Sequence, residues 1–82
     1  MSEDDLRRAV LDALSEIAPE VDPGGIDPDG SLAEQLEIDS IDMLNLVVAV
    51  HERTGIEVPE RDYGKLRSVN SAVAYLLAAG RH

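Results

Sequence analysis

The stretch "DSIDMLNLVVAVHERTG", residues 39–55, decides the fold. Asp39 stands at an N-cap position, Ser40 opens an apolar run, and Gly55 falls where a left-handed C′ residue closes a helix. On a helical wheel Met43, Leu44, Leu46, Val47, Val48 and Val50 cover most of the circumference. A narrow strip of Asp42, Asn45, Ala49, Glu52 and Arg53 is left for solvent. A helix this apolar belongs at the centre of its fold.

Upstream, Leu6, Ala9, Val10, Ala13, Leu14 and Ile17 repeat at helical spacing, with Ser2 and Asp5 placed as a capping box and Pro19 beyond the end. This predicts a first helix over Glu3–Ala18. The segment "PEVDPGGIDPDGSLAEQLEID" that follows is rich in Pro, Gly and Asp and reads as a long loop. Connections of that length usually hold a short element or a function. "SLAEQL" can supply the element, with Ser31 and Glu34 spaced as a capping box and Leu32 and Leu36 pointing inward.

Downstream, Pro59 suits the start of a short helix that Gly64 weakens. Ser68 then caps a last helix with Val69, Ala72, Val73, Leu76 and Leu77 on one face and Gly80 after it. Only "IEV", residues 56–58, alternates like a strand. The expectation is an all-α single domain over residues 1–82, a four-helix bundle with a short third helix and a long loop between helices one and two.

Composition narrows the chemistry. A chain of 82 residues buries only about 60% of the surface it exposes when unfolded, so a deep catalytic cleft is not expected. Aromatic residues are 2% of the chain, Tyr63 and Tyr75 alone, and the core must be aliphatic. There is no cysteine, hence no thiolate nucleophile and no zinc site of the usual kind, and no metal site is expected. The net charge of −10 argues against nucleic acid and anionic membrane and favours basic partners. It is also lopsided: residues 1–42 hold two basic and thirteen acidic side chains, net −11, and residues 43–82 five and four, net +1. The longest apolar run, "AVAYLLAA", falls far short of the roughly 18 residues that suggest a membrane span. The N-terminus "MSEDDLRR" lacks a signal peptide's apolar region. A cytoplasmic monomer without membrane insertion is expected.

Ser40 raises the functional question. As an ordinary first-turn residue after an aspartate cap it needs no further role, and Asp42 suits the positive end of the helix dipole. As a nucleophile it lacks a base. His51, eleven residues on, lies roughly 16 Å along the helix axis, and His82 is terminal. No G-x-S-x-G elbow surrounds the serine. The carboxylates sit in loops and first turns, without the walled cleft that separates a catalytic pair. "DPDG", residues 27–30, reads as a turn: aligned with an EF-hand loop it lacks the first ligand and the closing glutamate. With intrinsic catalysis set aside, a serine between a loop and a central helix suits modification by another enzyme.

Here the sequence resembles the acyl carrier protein family. "LEIDSIDMLNLVVAVHERTGIEVPE" is similar to the family's serine, second helix and following turn, and "LRSVNSAVAYL" to its last helix. The resemblance implies that Ser40 carries covalent 4′-phosphopantetheine, donated from coenzyme A by a phosphopantetheinyl transferase using magnesium. The arm's thiol would hold acyl groups as thioesters, making the chain a carrier and not an enzyme. It further implies that acyl-loading and acyl-processing enzymes with basic patches meet the second helix through Asp39, Ile41, Asp42, Asn45, Val48 and Glu52.

The sequence departs from the family pattern at Glu37, where glycine is common, at Ile41, where leucine is, and at Asn45, His51 and Arg53, where carboxylates often stand. A less acidic helix attracts a basic patch less, which points to a dedicated carrier of a specialised lipid, polyketide or related pathway. Two alternatives stay open: an aminoacyl or peptidyl carrier, and an unmodified helical interaction module.

Overall fold

Helix α1, Glu3–Ile17, starts at the expected cap. The Asp5 N–H donates to Ser2 Oγ at 3.2 Å, and the Ser2 N–H donates to the Asp5 carboxylate at 3.3 Å. The Ser2 N–H, and then the Ser2 hydroxyl beside the carboxylate, hold the Asp5 carboxyl below its ordinary value. The helix stops one residue early because Pro19 disfavours a helical Ala18, which becomes the C-cap. The computed structural model describes residues 1–80; Arg81 and His82 lie outside the described residues, so the predicted domain is described only that far.

The long connection is pinned at several points. Asp22 caps a single 3-10 turn, Pro23–Gly25, and Ser31 caps the short helix α2, Leu32–Leu36, by accepting the Glu34 N–H at 3.3 Å. Gln35 brackets Asp27, accepting its N–H at 2.7 Å and donating to its carbonyl at 3.0 Å. Asn70 ties three parts together: it donates to Asp29 Oδ1, accepts from Arg7, and its N–H donates to the Pro28 carbonyl. Leu32 is fully buried and Leu36 partly so, both against the core as expected.

Helix α3, Ser40–Thr54, has the predicted boundaries, with Asp39 as N-cap and Gly55 as a left-handed C-cap at φ 72°. Residues 56–58 form no strand. The expected short helix is a 3-10 helix, Glu60–Leu66, and α4 runs Val69–Ala79 from its Ser68 cap. Among the described residues four helices of at least seven residues thus make the bundle, with α2 an extra turn inside the long loop. Helix α1 packs on both α3 and α4, and the 3-10 helix packs on α4. Tyr75 of α4 donates its hydroxyl to Asp62 at 2.8 Å. Burial, and then this bond, push the tyrosine up from its ordinary value.

The core is built from Leu, Val and Ala of α1, α3 and α4, with Leu32, Val58 and Leu66 closing it; among the described residues no aromatic ring is fully buried in it, and Tyr63 and Tyr75 pack against its edge. The face of α3 corrects the wheel. Ala49, assigned to solvent, is 7% exposed, while Leu44 and Val48, assigned to packing, are 46% and 48% exposed. Small Ala49 sits in the buried cluster beside Leu46, Val47 and Val50, and the bulkier side chains turn outward.

Candidate functional site

Ser40 is the first residue of α3 and is exposed. Asp39 fixes the helix start: its Oδ1 accepts the Asp42 N–H at 2.9 Å and its carbonyl accepts the Met43 N–H at 3.0 Å. The positive end of a fifteen-residue helix therefore lies next to the Ser40 hydroxyl. Three residues before it, Glu37 adopts the left-handed conformation, φ 52° and ψ 40°, the one non-glycine residue to do so among the described residues. The departure from glycine at this position thus falls where glycine is favoured sterically.

Two grooves flank α3. One, of about 630 Å³, is lined by Asp39, Ser40, Met43, Leu44 and Val47, with Ala33 and Ile38 on one side and Glu60, Tyr63 and Gly64 on the other. It is mostly apolar. The other, of about 390 Å³, is lined by Asp42, Asn45, Val48, Ala49 and Glu52 with Glu16 and Ile17 of α1. Here Arg53 pairs with Glu16 at 2.8 Å, a surface contact of small energetic weight. The residues expected to meet partners are therefore divided: Asp42, Asn45, Val48 and Glu52 share the acidic groove, and Asp39 lies with Ser40. Ile41, 68% exposed, lines neither.

Sequence reasoning missed Met43, Leu44, Val47 and Tyr63 as groove residues. The first three were assigned to packing, and the excess of apolar residues around α3 was the available signal. His51 is no base for Ser40. Its Nδ1 lies 3.1 Å from the Ile56 carbonyl oxygen, beyond the far end of the helix. Asp27 and Asp29 are engaged in a turn, the Asp29 N–H donating to Asp27 Oδ1 at 3.0 Å.

This geometry offers an attachment point. The hydroxyl is open to solvent and borders an apolar groove, and among the described residues no side chain hydrogen-bonds to it. The class of protein so defined is a small helical bundle that presents an exposed serine at the start of a central helix. Residues 8–76 match the family described as "PP-binding: Phosphopantetheine attachment site". The chain is 36% identical over 76 residues to the acyl carrier protein of Tropheryma whipplei, covering 89% of this chain and 93% of that one. It is 32% identical over 73 residues to the meromycolate extension acyl carrier protein of Mycolicibacterium aurum, covering 85% and 75%. The fold superposes on an acyl carrier protein from Enterococcus faecalis with a TM-score of 0.80 at 20% identity, covering 96% and 99% of the two chains.

The chain belongs to the acyl carrier protein family and carries acyl groups on covalently attached 4′-phosphopantetheine. The residues present fit that group. A helix N-terminus suits its phosphate, an open groove suits its chain, and the arm brings the thiol that this cysteine-free sequence lacks. Among the described residues no helix is long and apolar enough to cross a membrane.

Proposed function

We propose that Ser40 is the attachment residue and that the carrier serves a specialised acyl pathway as a cytoplasmic monomer of one domain. The observation that carries the first part is the exposed Ser40 hydroxyl at the mouth of the apolar groove. A phosphopantetheinyl transferase with magnesium joins Ser40 Oγ to the phosphorus bearing pantetheine in coenzyme A. Adenosine 3′,5′-bisphosphate leaves, and the serine proton is lost. The chain's own part is to present the hydroxyl and the helix end; it performs no catalysis.

Acyl-loading and acyl-processing enzymes with basic patches meet the exposed part of α3 around Asp39, Ile41, Asp42, Asn45, Val48 and Glu52, to which Leu44 is added. The specialised role is supported by Asn45, His51 and Arg53 on that helix, which weaken a purely electrostatic attraction. The meromycolate extension relatives carry specialised names of the same kind. Incubation with coenzyme A, magnesium and a broad-specificity transferase, followed by intact-mass measurement, tests the attachment. The protein gains one phosphopantetheine and Ser40→Ala gains none. Equal labelling of both sinks the assignment to Ser40. Support of ordinary fatty-acid elongation at the rate of a housekeeping carrier sinks the specialised role.

A further inference from the structure

Among the described residues, three of the six lysines and arginines lie together on this acidic chain. Arg61, Lys65 and Arg67 fall within seven consecutive positions and line a single surface pocket of about 380 Å³ with Gly64 and Ser71. All three are exposed, and none is in an ion pair among the described residues. Arg7 and Arg53, by contrast, are engaged with Asn70 and Glu16. The Ser71 hydroxyl donates to the Lys65 carbonyl and ties the segment to α4. The nearest acids do not cancel the cluster. Asp62 accepts the Tyr75 hydroxyl, and Glu60 faces the Ser40 groove.

Gly64 lines both this pocket and the groove that begins at Ser40. A Cβ placed there would meet nothing within 4 Å, so the boundary between the two is open backbone. An arm rooted at Ser40 and lying in the groove delivers its acyl end to the Gly64 side. An acyl chain ending in a methyl group finds only the apolar lining of Met43, Leu44, Val47 and Tyr63. An acyl chain ending in a carboxylate meets repulsion from Asp39 and Glu60, the two acids that line the groove, and attraction only once its end has passed Gly64 to Arg61, Lys65 and Arg67.

We infer that the Arg61, Lys65 and Arg67 pocket is a subsite for the anionic end of a carboxylated acyl cargo, a dicarboxylic acid held by one thioester. This rests on Ser40 carrying the arm. The test loads isotope-labelled protein from succinyl- or butyryl-coenzyme A, two four-carbon cargoes that differ in the terminal charge, with intact mass confirming each product. Failure of both to load refutes the carrier reading, and the subsite with it.

With both loaded, the succinyl form shifts the amide resonances of Gly64, Lys65 and Arg67 and the butyryl form leaves them in place. The succinyl carboxyl also titrates lower than in the Arg61→Gln, Lys65→Gln, Arg67→Gln protein. At 1 M salt, where the screening length is about 3 Å, the succinyl-specific shifts fall by half or more. Gly64→Leu keeps every charge and walls the groove from the pocket, so it removes the succinyl-specific shifts and spares the butyryl map. Identical maps for the two cargoes, with a carboxyl titration unchanged by the glutamine substitutions, overturn the inference.

Discussion

Helices α1 and α3 are both fifteen residues long, yet they dispose of their apolar side chains differently. Helix α1 buries Leu6, Ala9, Val10, Ala13 and Leu14 on one stripe and exposes no large apolar residue. Helix α3 buries Leu46, Val47, Ala49 and Val50 and leaves Ile41, Leu44 and Val48 in solvent. In the first helix hydrophobicity is accounted for by stability. In the second there is more of it than packing can use, and one of the surplus residues, Leu44, lines the groove that holds Ser40. An apolar residue that the core does not need is a statement about contact with something else.

That contrast can be broken most directly in the core. Leu46→Ala, at a site 1% exposed, should destabilise the fold by about 2–5 kcal/mol, as should Leu14→Ala in α1. Leu44→Ala should shift the denaturation midpoint by no more than about 0.5 kcal/mol. Similar losses for Leu44 and Leu46 in urea unfolding would end the distinction between the two faces. Asp39→Ala removes the α3 cap and should lower stability by about 1 kcal/mol, with Asp39→Asn retaining most of it.

Glu37→Gly should work in the opposite direction. Relief of the left-handed strain raises stability by about 1 kcal/mol, and a loss on substitution would show that the glutamate makes a stabilising contact. The smallest effect is at the start of α1. The Asp5 carboxyl is lowered in the folded state, so its stabilisation is present above its unfolded value of 3.8 and disappears as pH falls through the lower folded value. Asp5→Asn should therefore lower the thermal midpoint at pH 7 and leave it nearly unchanged at pH 2; equal effects at both would remove the carboxylate from the account.

Much of this was legible because caps and periodicity are local. Ser2, Asp39, Ser68 and Gly55 mark helix ends by hydrogen bonds that span three or four residues, and α1 shows a single apolar stripe. The orientation of α3 was not legible. With apolar residues on nearly every side, the wheel cannot say which of them face α1, and the choice of Ala49 over Val48 is made by close approach between helices. The order in the long loop was hidden for a related reason. It depends on Asn70, which lies 41 residues from Asp29 and 63 from Arg7, and nothing in the local sequence announces such a partner. At the site, Ser40 could be singled out from its own neighbours. The groove beside it draws Tyr63 and Gly64 from the 3-10 helix, and only the folded chain brings them to the serine.

The absence of a fully buried aromatic ring among the described residues leaves the molecule almost silent in the near ultraviolet. It has no tryptophan, and its two tyrosines stand at different posts. Tyr75 is fastened to Asp62 and watches the seam between the 3-10 helix and α4; Tyr63 borders the groove beside Ser40. A cargo that fills the groove should alter the tyrosine signal through Tyr63, and the change should vanish in Tyr63→Phe and persist in Tyr75→Phe.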